Sequence, residues 1–360
     1  MAKTVWILGA GASAGFGAPV MAGFIDKADD LRSSRPDGLD SAAFDVFFRA
    51  RQGPLQQLHA KTVVDTEDVE SIFGLVEMAS LLNKLPGLDG GEIEELRSAT
   101  RTVLVQTVEQ LGTFELRGQQ LLPPRSYAGL VAGYQQAVTR GQSEGHAFIT
   151  FNYDVGLDFA IRWFGLDIDY GLVKPAARGV PLLKLHGSVN WRECTQCHAI
   201  VPLEVLNMLK TRPGAASAPA SQVAFPAGPH LRTMSPHCPG DVLSPTAAIV
   251  PPSWNKTQYA RTFSSVWARA AKELSEAREI IVAGYSMPES DSFFRDLLAL
   301  SVAGPTRIRE LHVVNPMQDI GERIMKLLGP ELRNRFRPSV GNFENFVQQR
   351  YGDLLREKGF

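Results

Sequence analysis

Five β-prone residues, Thr4, Val5, Trp6, Ile7 and Leu8, run straight into the turn Gly9-Ala10-Gly11-Ala12-Ser13-Ala14-Gly15. An uninterrupted apolar strand that stops at glycines reads as a buried parallel strand. Backbone without Cβ can approach a pyrophosphate, and the N–H groups at the start of the next helix favour negative charge. The same residues equally describe a tight strand-to-helix turn that holds nothing. The spacing departs from the dehydrogenase fingerprint, and no acidic residue closes a second strand about twenty residues on. Nicotinamide redox chemistry recedes, while a nucleotide site stays open.

Beyond this turn the pattern from Ala42 to Gly141 is mainly helical, as in Val69, Ile72, Phe73, Val76 and Met78 at three- and four-residue spacing, with breaks at Pro86-Gly87 and Pro123-Pro124. Strands are expected at His146–Phe151, Leu182–His186, Glu279–Ala283 and His312–Asn315, with helices from about Tyr259, from about Ser290 and from Asn342. Alternating helix and strand predicts an α/β fold: a Rossmann-like parallel sheet with helices on both faces. The α/β domain would comprise residues 1–41 and 142–330, interrupted by a helical module at 42–141 and a small loop-rich insertion at 192–247. Residues 331–360 would form a C-terminal helical tail.

At 360 residues and 44% hydrophobic, the chain can bury a large core. Its net charge of -1 gives no footprint for nucleic acid or anionic lipid. Three cysteines are too few for a disulfide framework and fit a reducing compartment. The glycines at 9, 11, 15 and 17 stand where a secretory signal would carry a leucine-rich helix, and no apolar run approaches the ~18 residues of a membrane span. A cytoplasmic protein is expected.

Four ordered stretches carry more information. They are Gly9 to Ser13 with Gly17-Ala18-Pro19; Phe151-Asn152-Tyr153-Asp154; Lys184-Leu185-His186-Gly187-Ser188; and Gly284-Tyr285-Ser286 ahead of Val314-Asn315-Pro316. Together they resemble the sirtuin-like NAD-binding family, closest to its bacterial branch of NAD hydrolases, many of which are effectors of anti-phage defence. Ile249-Val250-Pro251-Pro252 and Pro288-Glu289-Ser290-Asp291 fit that branch too. The resemblance implies that Gly9, Ala10, Gly11 and Ser13 hold the phosphates of NAD, that Asn152 and Asp154 face the nicotinamide and its ribose, and that His186 is the catalytic histidine. It implies that Gly284 and Ser286 line the phosphate and ribose path, with Asn315 on the adenosine ribose. It also implies a homo-oligomer, or a partner such as a helicase or an Argonaute-like protein.

These residue types suit the chemistry. Breaking the N-glycosidic bond of NAD builds positive charge on a ribose while nicotinamide leaves neutral, so the enzyme must orient the sugar and place a base. The unperturbed histidine pKa lies near neutrality, and an asparagine donates and accepts without adding charge. Taken alone, His186 is as readily a structural residue at a strand end, and Asn152 and Asp154 as readily cap the helix starting near Val155.

Deacylating sirtuins follow the glycine loop with an acidic-Phe-Arg sequence and carry a Val-x-Phe-Gly-Glu strand for the peptide. Here Pro19 is followed by Val20-Met21-Ala22-Gly23, and the strand position reads Ala248-Ile249-Val250-Pro251-Pro252. A NAD glycohydrolase is therefore the leading expectation. A protein deacylase or ADP-ribosyl transferase comes second, and a non-catalytic NAD or ADP-ribose module third.

Cys194-Thr195-Gln196-Cys197 has the spacing of a metal knuckle. Cys238 and His237 would complete a structural zinc site, with His198 and His230 as other ligands. The alternative is a decayed ribbon with buried or free thiols.

Overall fold

A computed structural model describes residues 3–59, 62, 64–118, 120–141, 145–172, 179–206, 222–224, 237–239, 243–252, 262–286, 292–302 and 308–360. Its strands, in chain order, are β1 (Thr4–Leu8), β2 (Thr113–Arg117), β3 (Gln120–Leu122), β4 (His146–Thr150), β5 (Ile168–Asp169), β6 (Val180–Lys184), β7 (Gly187–Cys194), β8 (Ile200–Pro202), β9 (Gln222–Ala224), β10 (Leu243–Ile249), β11 (Glu279–Ala283), β12 (Glu310–Asn315) and β13 (Phe336–Val340).

Seven of these form one parallel sheet in the order β13-β12-β11-β1-β4-β6-β5. Both faces are covered, and β1 shows why its sequence does not alternate. Val5 and Ile7 pack with Val266, Ala270 and Leu274 of the helix Ser264–Ser275, while Trp6 and Leu8 pack with Tyr127, Leu130 and Val131 of the helix Arg125–Thr139. The Rossmann-like arrangement follows directly. From β1 the chain moves to β4 on one side and later returns to β11 on the other, so the strand order reverses at the β1–β11 seam. Ligands of open α/β sheets bind at the carboxyl ends of strands at such a point.

A third core lies outside the sheet. Helices Phe24–Ser34, Ser41–Ala50, Val69–Leu82 and Gly90–Leu111 bury Phe24, Phe44, Phe47, Phe48, Ile72, Phe73, Ile93 and Leu104 together. Asp68 caps the third of these, and a capping box of Asp89 and Glu92 opens the fourth. Val189, Ala247 and Ile249 from the antiparallel sheet β10-β7-β8 join the same core. From the loop-rich insertion, Leu203, Val205 and Val223 also join this core.

Two elements depart from the expected pattern. The tail is not helical throughout: Phe336–Val340 forms the edge strand β13 before the helix Phe343–Glu357. Pro338 hides that strand in the sequence, and an edge is where a strand tolerates proline. Within the helical stretch, β2 and β3 make a hairpin around Gly118, and β2 also pairs with β9. The starts of the helices expected from Tyr259 and Ser290, and the Pro288 to Asp291 stretch, lie outside the described residues, as does His230. No described helix is long and apolar enough to cross a membrane.

Candidate active site

The glycine turn is shaped first by its own backbone. Gly9 N–H donates to Ala283 O at 3.1 Å, Gly11 N–H to Gly284 O at 2.9 Å, and Ala12 N–H to Gly9 O at 2.9 Å. A Cβ on Gly9 would lie 2.6 Å from Gly284 O, and one on Gly11 2.9 Å from Gly284 Cα. Gly284 has φ +61°, and a Cβ there would overlap the Ala12 nitrogen. The turns after β1 and β11 therefore pack backbone to backbone. The amides of Gly9 and Gly11 serve that contact, and so does the space that a side chain at either position would need.

Asn152 follows β4, next to this turn. Its Nδ2 donates to Gly9 O at 2.9 Å and to Ser13 Oγ at 2.8 Å. A backbone carbonyl only accepts, so the orientation of the carboxamide is determined, and Oδ1 is the group it can offer a ligand. Ser13 Oγ in turn donates to Asp154 Oδ2 at 2.7 Å and lies 2.7 Å from Tyr127 Oη. Asp154 Oδ1 accepts from Gly156 N–H at 2.9 Å. Burial pushes the Asp154 carboxyl up, against the opposing pull of Lys184, Ser13 and the Gly156 amide. Ser13 and Asp154 thus form the layer behind Asn152, with Asp154 also accepting from the first amide of the next helix.

Beneath them lies a charged pair, of which the motifs contained Lys184 but not Asp158. Lys184 Nζ, 1% exposed, donates to Asp158 Oδ2 at 2.9 Å and to the backbone oxygen of Asp154 at 2.5 Å. Asp158 also accepts from Tyr170 Oη at 2.6 Å.

His186 follows β6, so its loop adjoins the Asn152 loop. The neighbours of Asn152 bracket its ring: Phe151 edge-on at 5.1 Å between centroids and Tyr153 at 6.2 Å and 29°. Phe151 stacks in turn on Tyr285 at 4.3 Å. The backbone oxygen of His186 accepts from Val250 N–H at 2.8 Å, and Val250 O accepts from Tyr153 Oη at 2.7 Å. Gly187, at φ +76°, lets β10 lie against the chain just after the histidine. Asn152, Asp154, His186, Ser13 and the two glycine turns thus gather at the carboxyl ends of β1, β4, β6 and β11.

Ser286 is exposed just past Gly284. Asn315 stands one residue beyond Val314, whose oxygen accepts from Gly284 N–H at 3.1 Å. Its Oδ1 accepts from Met317 N–H at 2.9 Å, and it lines a cavity of about 450 Å³ with Met317, Gln318, Ser339 and Val340. Neither His186 nor Asn152 lines that cavity.

The three cysteine sulfurs come within 4.8 Å of one another, with Cys238 at 3.5 Å from Cys197 and 3.9 Å from Cys194. The Ala199 amide and the neighbouring thiols draw Cys197 down to about 7, and facing Cys197 pushes Cys238 up to about 12. Three sulfurs around a tetrahedral ion bonded at about 2.3 Å would be about 3.8 Å apart, so the cluster fits zinc. His237 also helps lower Cys197, but it is not among the groups that meet all three sulfurs within 4.8 Å, so the structure brings together three of the four expected ligands. His198 instead meets Glu193 at 2.7 Å.

No family model and no curated protein matches the sequence. Among solved structures, the chain is similar to a Sir2 homologue mutant in complex with ADP-ribose (17% identity, TM-score 0.40, 99% of this chain and 93% of that one). It is also similar to a Sir2 homolog–NAD complex (17%, TM-score 0.38, 99% and 89%) and to Sir2Tm bound to a propionylated peptide (15%, TM-score 0.36, 99% and 93%).

Proposed function

We propose that this chain binds NAD at the β1–β11 seam and hydrolyses its nicotinamide–ribose bond, giving ADP-ribose, nicotinamide and a proton. The observation that carries the reading is the fixed carboxamide of Asn152. Both of its N–H groups are committed to Gly9 and Ser13, which leaves Oδ1 as an oriented acceptor for a ribose hydroxyl or for water. His186, bracketed by the residues on either side of Asn152, is the base that takes the proton from the attacking water. Gly9, Ala10, Gly11 and Ser286 offer the surface along which the phosphates run, with Gly284 holding the turn and Asn315 on the adenosine side. Zinc on Cys194, Cys197, Cys238 and His237 would brace the insertion and take no part in the reaction.

Hydrolysis is favoured over peptide deacylation by the backbone at 249–252. Val250 uses both its N–H and its carbonyl internally, Pro251 and Pro252 have no N–H, and Ile249 O accepts from Arg101 at 3.3 Å. That stretch has few groups left to pair with a substrate strand. Transfer to a protein acceptor is the second reading, drawing on a cleft of about 470 Å³ between Arg97 and Arg101 on one side and Ser244 and Thr246 on the other. The motif resemblance extends the proposal to a regulated, oligomeric effector of anti-phage defence, acting alone or with a helicase or Argonaute-like partner.

The test is chromatography of NAD incubated with the protein, with and without candidate partners. Nicotinamide should appear, and His186→Ala and Asn152→Ala should abolish its release while remaining folded. Unchanged turnover in both variants removes the site assignment. Binding of NAD without turnover favours a sensing module. NAD loss only in the presence of an acetyl-lysine peptide favours the deacylase.

A further inference from the structure

Ser13 has one proton and two lone pairs, and it meets three polar groups at 2.7–2.8 Å: Asp154, Asn152 and Tyr127. Its proton goes to the carboxylate, and Asn152 Nδ2 can only donate to it. The remaining lone pair faces Tyr127 Oη, so Tyr127 donates. Burial raises the Tyr127 phenol well above its ordinary pKa, which keeps that proton in place. Tyr127 is 1% exposed, is clamped between Phe16 and Phe343, and lies in the helix Arg125–Thr139, outside every motif that drew attention to the site.

We infer that Tyr127 is a positioning residue for this site: by donating to Ser13 Oγ it makes Ser13 donate to Asp154, and so fixes the Asn152 carboxamide with Oδ1 as its acceptor. The inference rests on the NAD-cleavage reading for its consequence, but not for its geometry. Without the phenol oxygen, Ser13 gains a free lone pair, its hydroxyl can rotate, and the second anchor of Asn152 Nδ2 loosens. Tyr127 itself touches no substrate.

Tyr127→Phe removes one oxygen and keeps the ring packing. Nicotinamide release should fall about tenfold in kcat with KM for NAD nearly unchanged, as expected for an interaction that matters in the transition state. Ser13→Ala should show the same signature, and adding Tyr127→Phe to it should cost much less than the sum of the two, because the phenol acts chiefly through that hydroxyl while also meeting Asn152. A readout independent of catalysis is hydrogen exchange at the Asn152 side-chain amide, followed by NMR and assigned by its loss in Asn152→Asp. Exchange should be slow in the wild type and about tenfold faster in Tyr127→Phe, with the melting temperature within a few degrees. Unaltered amide exchange in Tyr127→Phe, or additive losses in the double variant, overturns the inference. A wild-type protein that releases no nicotinamide overturns the NAD-cleavage reading instead, and amide exchange alone then decides the role of Tyr127.

Discussion

The Nδ2 of Asn152 donates to the carbonyl oxygen of Gly9 at 2.9 Å, joining the loop after β4 to the turn after β1. Asn152→Asp would replace the donor by an oxygen that faces both that carbonyl and Ser13 Oγ. It should abolish nicotinamide release as completely as Asn152→Ala and also cost about 2 kcal/mol in urea denaturation, the penalty for a buried acceptor without a partner. An active Asn152→Asp enzyme would show that the carboxamide is not the oriented group.

Lys184 and Asp158 are both about 1% exposed and pair at 2.9 Å. Lys184→Met leaves a carboxylate buried alone and should lower stability by about 3–5 kcal/mol. Combining it with Asp158→Asn should recover part of the loss, giving a negative interaction energy in a double-mutant cycle. Additive losses would mean that the two groups do not depend on each other.

Gly284 and Gly23 both have positive φ, +61° and +72°, yet only Gly284 is crowded, since nothing lies within 4 Å of a Cβ on Gly23. Gly23→Ala should cost only the ~1 kcal/mol of a left-handed L-residue. Gly284→Ala should cost about 4 kcal/mol or prevent folding, because the clash is with backbone. Equal effects, read by thermal melting, would refute the turn-to-turn contact.

His146 is buried among Trp6, Phe148 and Tyr351, has no partner for Nδ1, and is lowered from 6.5 to about 4 by burial, with Arg350 adding to the shift. The unfolded chain therefore binds this proton more readily than the folded one. Stability from keeping His146 neutral is full above pH 6.5 and is lost as pH falls from 6.5 towards 4, by up to about 3 kcal/mol. His146→Gln should flatten the urea midpoint across that window. The raised Asp154 carboxyl works in the opposite sense, but it is common to both proteins and cancels in the comparison. Parallel curves would remove His146 as the source.

Purified protein should hold one zinc per chain, measured by elemental analysis, and Cys238→Ser should release it. Chelation should lower the melting temperature without changing the kcat for nicotinamide release, as expected of a metal that braces the insertion and takes no part in the proposed reaction. Activity lost in step with zinc would place the metal in the reaction.

Much of the sheet was legible because burial on both faces writes continuous apolar runs, as in Thr4–Leu8 and Glu279–Ala283. Strand β13 was not, since Phe-Arg-Pro-Ser-Val has the interruption an edge strand tolerates. At the site, the motifs marked the residues that meet on loops after neighbouring strands, but not what holds them. The glycines invited a phosphate reading, although Gly9, Gly11 and Gly284 are already required by one another. Tyr127 and the pairing of Lys184 with Asp158 depend on contacts between distant segments, and neither composition nor periodicity encodes such contacts.

Because β1 and β11 are neighbours and their glycine turns interlock, the stretch from Ala10 to Ala283 leaves the middle of the sheet and comes back to the adjoining strand. The helical layer and the insertion belong to that excursion, whose two ends are welded where the dinucleotide is proposed to lie. Length could be gained or lost at exposed points far along the excursion while the weld kept its shape, since the turn-to-turn contact depends only on the two ends.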